Sequence, residues 1–448
     1  MPFFLDHDPH ACSLHYFNHQ EALNKWLWDN CDEAYAKAFE DHPALFLAHQ
    51  NTALICFDEK DPWGICAPLL KLPRDYSYVF VNTPHNINDH CVAWALAFYD
   101  FHHHKTTHTE KKTPPRLVWP EAAERLYVRA MVRAISTARD LINEPANVIT
   151  PFSFAKRSEE LFEALNVHVD IEKDLDILKK EYPLLYTVGR ASENPPCMIH
   201  IRYAPSSYVK KIALVGKGVC FDSGGLDIKP SAHMLHMKKD MGGAAHALAL
   251  GYLIAELKLP IAFDMYIPCA ENAVGSRSYR PRDILVSRKG LTVEVGNTDA
   301  EGRLILADAL TKASEKECDL IIDFATLTGA ARVAMGLDLP AFFTNQEGIR
   351  NSLQTLSSQC HDDMWALPLF EKYRKTLKSS CADLSSTGSS SYGGAITAAL
   401  FLEHFIEKDN PWIHVDLMAY NITSTPGRPE GGEVMGLRAV FNYLISIS

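Results

Sequence analysis

The 448-residue chain lacks any C-x-x-C pair, and its 11 cysteines are dispersed rather than set in a dense framework. That excludes a disulfide scaffold and predicts reduced thiols in a cytoplasmic setting. Positive charge is not in excess: the formal charge is −11, which argues against a nucleic-acid surface. Long apolar runs are missing too. "CVAWALAFYDF" is about half a membrane span, and the N-terminus carries no basic stretch followed by an apolar one. Neither a membrane span nor a signal peptide is expected. No H-E-x-x-H helix occurs, which excludes a mononuclear zincin. Despite Gly216 and Gly218, neither glycine-rich phosphate signature is present. No internal repeat is evident.

What is present reads as a soluble α/β protein. With 47% hydrophobic and 22% charged residues over this length, two or three domains are expected. Up to about Asn143 the pattern is a small α/β unit. "ALFLAHQ", "TALICF" and "DYSYVFVN" read as strands; "QEALNKWLWDNCDEAYAKAF" and "CVAWALAFYDFHHH" read as helices. The polar, basic "HHHKTTHTEKKTPPRL" reads as an exposed loop. Its run His102, His103, His104 offers metal-binding groups that point in different directions. A long helix over about 119–143 follows, opened by Pro120 and closed at "NEPAN", and is the expected domain connector. The domains are therefore drawn at 1–143 and 144–448.

Beyond Thr150, "VHVDIE", "KKIALVGKGVCF", "IAFDMYIPCA", "LTVEV", "DLIIDFAT" and "WIHVDLMAY" are short, β-branched and nearly all apolar. Strands buried on both faces read this way, so a mixed or parallel sheet flanked by helices is expected. "SSTGSSSYGG" is a flexible loop by composition, and Trp365 in "MWALPL" reads as core.

Charges gather where these strands end, the usual place for chemistry in such sheets. "VGKGVCFDSGGLDIKPS" carries Lys217, Asp222 and Lys229. "MLHMKKDMGGAAHALALGYLIAELKL" puts Asp240 before an amphipathic helix. "VEVGNTDAEGRLILADAL" puts Asp299, Glu301 and Arg303 on alternate residues between apolar stretches. One at a time, Asp240 and Asp299 pass for helix N-caps, Glu301 for a first-turn acid and Asp222 for a turn residue. Lys217 fits less well, because it interrupts an apolar strand, although a strand-end lysine can snorkel to water. Together, four acids and a buried lysine point to two divalent cations. A lysine can ligate only as the neutral amine, which requires its pKa to be pulled down.

These residues carry a resemblance. "NTDAEGRL" is similar to the signature octapeptide of the leucyl aminopeptidase family (M17, the cytosol aminopeptidases). "VGKG-x-x-FDSGG-x-x-IKP", "M-x-x-DMGGAA" and "NEPAN-x-x-TP" match the same family in order and spacing, over about residues 137–435. The resemblance implies a small N-terminal α/β (macro-like) domain, a larger catalytic domain and a homohexamer. It implies that Asp222 and Glu301 contact both metals, that Lys217 and Asp240 complete the tight site, and that Asp299 completes the exchangeable one. Lys229 and Arg303 would be the catalytic cations, with Arg303 holding a bicarbonate. The implied reaction is removal of the N-terminal residue from peptides with a free N-terminus, by attack of a metal-bridging hydroxide. The metals would be Zn or Mn, with Mg or Co also admissible.

Met237, Thr326 and Gly329 align with the family's pocket for the first side chain, and Asn297 and Leu327 with positions near the substrate backbone. Met418 and Tyr420 in "HVDLMAYN" depart from the small residues usual there, which implies a preference shifted toward something smaller or more polar. Two rivals remain at this level: a two-metal phosphoesterase, which would use histidines, and an additional DNA-binding or regulatory role resting on the basic loop near residue 105.

Overall fold

The structure, a computed structural model, describes residues 3–106, 113–407 and 409–448; the stretch "THTEKK" of the basic loop therefore lies outside the described residues. Contacts divide the chain into residues 1–136 with 422–430, and residues 137–421 with 431–448.

In the first unit six strands lie in the order Phe4–Leu5, Arg116–Val118, Ser77–Phe80, Cys12–Phe17, Thr52–Cys56, Ala44–Leu47. All neighbours are parallel except the last pair. Cys12–Phe17 alternates buried and half-buried positions and was not anticipated from sequence. The expected helix over residues 20–39 is two, Gln20–Asn30 and Glu33–Ala38, because Asp32 breaks it and caps the second through Tyr35 N. The expected helix from Cys91 is Ile87–Leu96, closed by a turn in which Tyr99 N donates to Leu96 O. The helix expected over about 119–143 is Arg125–Asn143, and the division of contacts falls within it; Pro120 opens a turn instead, with Ala123 N bonded to its carbonyl.

The second unit is built on a nine-stranded mixed sheet. Its order is Trp365–Ala366, Ala341–Thr344, Trp412–Asp416, Leu320–Ala325, Lys210–Gly216, Ile261–Asn272, Cys197–Tyr203, His168–Glu172, with Gly218–Asp222 paired along the end of Ile261–Asn272. The four middle strands are parallel, and the flanking pairs are antiparallel apart from Trp365–Ala366. Leu320–Ala325 is buried at every residue, the mark of a strand covered on both faces. Helices Gly242–Glu256 and Glu301–Ser314 lie against the middle strands. Gly242–Glu256 is buried from Gly242 to Ala255 and so is not the amphipathic helix expected. Trp365, expected in the core, is 55% exposed, because its short strand sits at the sheet edge. Among the described residues no helix is long and apolar enough to cross a membrane.

Candidate metal centre

The apolar run "KKIALVGKGVCF" does not make one strand. It makes two, Lys210–Gly216 and Gly218–Asp222, broken at Lys217. Lys217 N donates to Phe324 O at 3.0 Å, and Lys217 O accepts from Ala244 N at 2.9 Å. This fixes the backbone between a strand end and a helix start while the side chain turns inward. The "DMGGAA" glycines permit that approach: a Cβ at Gly243 would lie 2.1 Å from Phe324 O.

Six charged groups from three loops converge here. Lys217 Nζ lies 2.8 Å from Asp240 Oδ2 and 3.0 Å from Glu301 Oε1, and donates to Thr326 O at 3.2 Å. Lys229 Nζ lies 2.8 Å from Asp222 Oδ2 and 2.5 Å from Asp299 Oδ1. One oxygen each of Asp222, Asp299 and Glu301 lies within 4.8 Å of the others. Asp299 is half-buried; the other acids and Lys217 are 2% exposed or less.

The acids are not helix caps. Met241 precedes the Gly242–Glu256 helix, and Asn297 caps the Thr298–Ala300 turn by accepting from Asp299 N at 2.7 Å. Asp222 is fixed instead from behind, by Gly224 N at 2.9 Å and Asn272 Nδ2 at 2.8 Å. Asn272 Nδ2 also reaches Thr298 O at 3.0 Å, tying two of the loops together. Sequence reasoning did not single out Asn272. The available signal was a buried-strand amide at the end of Ile261–Asn272, next to Glu271.

Four carboxylates at such spacing shape each other's titration. Burial, then the Asp222 charge, push the Glu301 carboxyl up to about 8 against the pull of Lys217. The same two causes push Asp299 up to about 6, opposed by Lys229. Burial works against the Lys217 charge, but Asp240, Glu301 and Asp222 outweigh it and hold the amine above its ordinary value. The resemblance asked for a neutral amine. Protein groups alone bias Lys217 the other way, so ligation requires a divalent ion to displace its proton. Burial lowers Lys239 to about 7 despite Asp240 beside it.

The donor set fits divalent ions. Asp240 Oδ2 and Asp299 Oδ1 face lysine amines as close ion pairs but outside hydrogen-bond geometry, so both buried oxygens keep unspent acceptor capacity. Hard or borderline cations take such oxygens.

Arg303, the third residue of helix Glu301–Ser314, donates through Nη1 to Ser386 O at 2.8 Å, while its Nε has no partner. Burial lowers its pKa to about 10, opposed by Glu301 and Asp416. Ser386 is fully buried and accepts from Gly296 N through Oγ, so the start of the "SSTGSSSYGG" stretch is pinned to this site. Of the other expected residues, Thr326 Oγ1 donates to Asp240 Oδ1 at 2.7 Å and Leu327 N to Asp416 Oδ1 at 3.0 Å. Met237 is buried beside Asp240 in the Met237–Met241 turn, whereas Asn297 and Gly329 are exposed. Met418 and Tyr420 are both 7% exposed. His102 pairs with Asp100 at 3.2 Å and takes no part in a metal-type cluster among the described residues.

A comparison with known proteins covers the stretch that carries these residues. A family model described as the catalytic domain of the cytosol aminopeptidase family matches residues 136–441. A probable cytosol aminopeptidase of Persephonella marina is 43% identical over 310 residues, covering 69% of this chain and 62% of that protein. One of Aquifex aeolicus is 40% identical over 324 residues, covering 71% and 66%. The matched stretch thus spans less than two thirds of these relatives' length. Among solved structures, a cytosol aminopeptidase from Coxiella burnetii superposes with a TM-score of 0.92 at 39% identity, covering 99% of both chains. The bottromycin maturation enzyme BotP in complex with Mn does so at 0.83 and 27%, covering 98% of this chain and 99% of that one.

Proposed function

Because the chain belongs to the cytosol aminopeptidase family, we propose that it is a two-metal aminopeptidase that hydrolyses the N-terminal residue from peptides with a free N-terminus. The observation that carries this reading is the meeting of Asp222, Asp240, Asp299 and Glu301 around Lys217, with oxygens of three of them within 4.8 Å.

Asp222 and Glu301 would hold both ions, Lys217 and Asp240 completing one site and Asp299 the other. When bound, two divalent ions polarise a carbonyl and lower the pKa of water, and bicarbonate supplies a base. The protein does the rest. Asn272 and Gly224 fix the Asp222 carboxylate through Oδ1, so Oδ2, beside Lys229, keeps one direction. Lys229, the less buried of the two lysines, presents an ammonium held by Asp222 and Asp299 to a developing oxyanion. Arg303, anchored at Nη1 and free at Nε, would hold the bicarbonate. The Mn of the BotP complex supports Mn as one metal, with Zn, Mg and Co as alternatives. A homohexamer in the cytoplasm belongs to the same reading, as does the absence of a nucleic-acid role.

Purified protein supplied with Mn or Zn should hydrolyse leucine p-nitroanilide and leave p-nitrophenyl phosphate intact, and Glu301→Ala should abolish the first activity. Phosphatase activity without peptidase activity would replace this reading with the phosphoesterase one.

A further inference from the structure

Three segments distant in sequence meet beside Asp240. Thr326 bonds Asp240, and the His236 ring stands 4.9 Å from that of Tyr420. A Cβ on Gly242 would lie 2.4 Å from Ala419 Cβ and 3.2 Å from Thr326 Cγ2. Arg332 Nη1 lies 3.5 Å from Met418 Sδ. Residues 236–242, 326–332 and 418–420 therefore make one continuous wall running away from the acid cluster. Gly329 opens it: within 4 Å a Cβ there would meet only Arg332 Nη2, at 3.5 Å. The space beside Gly329 is free for an incoming side chain, with a guanidinium at its edge.

That guanidinium is under-used. Among the described residues no carboxylate forms an ion pair with Arg332, and the hydrogen bond its side chain makes is to a thioether, a weak acceptor. Its neighbour Val333 is 89% exposed, yet Arg332 is half-buried and folds back over the buried Met418. A planar fork held in place by packing, with donors left over, is shaped to take a carboxylate by two parallel hydrogen bonds.

We infer that Arg332 reads the first side chain of the substrate, and that this enzyme favours peptides beginning with aspartate or glutamate. This rests on the aminopeptidase reading above and names the substrate class for it. The Met418 sulfur supports the guanidinium from below and fills depth that a long apolar side chain would need. Without Arg332, an acidic side chain would approach four carboxylates with no cation of its own. Arg332 supplies it.

The test compares Glu-, Gln- and Leu-p-nitroanilide on the Mn- or Zn-loaded protein, with calorimetric binding of free L-glutamate and L-glutamine as a second readout. Glutamate and glutamine differ only in charge and donors. We expect kcat/KM for Glu to exceed that for Gln at least tenfold, mainly through KM. In Arg332→Gln the ratio should fall to near one, with Arg332→Lys intermediate, and amino-acid binding should follow the same order. A merely structural role for Arg332 would lower all substrates together and leave the ratio unchanged, which would overturn the inference. So would a wild type indifferent to Glu and Gln while cleaving Leu, an outcome that leaves the aminopeptidase reading standing. No hydrolysis of any of the three would remove that reading and the inference with it.

Discussion

Gly302 exists to make room for Lys217: a Cβ at 302 would lie 2.5 Å from Lys217 Cε and 2.7 Å from Nζ. The glycine between Glu301 and Arg303 thus lets a lysine from another loop reach Glu301 and Asp240. Gly302→Ala should displace the amine from its cradle. We expect a loss of about 1–3 kcal/mol of stability from overpacking and at least a tenfold loss of metal affinity. Chemical denaturation and a metal titration measure the two; an alanine variant with unchanged affinity would show that Lys217 is not placed by this contact.

Asn272 should matter as much as a ligand without being one. Its amide holds Asp222 Oδ1 and Thr298 O, both buried. Asn272→Ala removes one donor from each, while Asp222 Oδ1 keeps Gly224 N and Thr298 O keeps the Tyr279 hydroxyl, so we expect a cost of about 0.5–1.5 kcal/mol for each hydrogen bond lost. Aspartate at 272 removes the donor and adds a fifth acid, so it should weaken folding of the metal-free protein more than alanine does. Urea unfolding of the two variants after chelation provides the comparison.

The convergence of the charged loops was legible because acids and a lysine interrupting apolar strands have few structural uses, and because "NTDAEGRL" is so specific a string. Asn272 was not, since a single amide at a strand end looks like a turn residue until Asp222 and Thr298 are seen on either side of it. The break at Lys217 was hidden by the apolar residues flanking it; only the neighbouring strand and helix, which take up its N–H and C=O, reveal it. Arg332 on its short helix reads as surface. Its contact with Met418 exists only after residues 86 apart are brought together. Ala419 is a similar case, with a left-handed φ of 57° that no sequence rule assigns to alanine.

A buried pair across the neighbouring strands Trp412–Asp416 and Leu320–Ala325 sets a pH dependence. His414 Nδ1 lies 2.6 Å from Asp323 Oδ1, whose other oxygen accepts from Trp412 Nε1 at 2.7 Å. Burial disfavours the imidazolium, but the Asp323 charge and hydrogen bond outweigh it and raise the His414 pKa. A raised folded value means stability that is complete below the unfolded value of about 6.5 and declines as pH rises through the folded one. The free energy of unfolding should therefore fall with pH above about 6.5, by at most about 1.4 kcal/mol per unit from this group. His414→Gln should flatten that slope whatever its effect on absolute stability. Urea midpoints from pH 6 to pH 9 give the answer, and an unaltered slope would assign the dependence to other groups.

Elemental analysis of the purified, active protein tests the central claim most directly. The account predicts two divalent ions per chain, with Asp222→Asn and Glu301→Gln each losing bound metal and peptidase activity together. Full activity in protein that carries no divalent ion would contradict it.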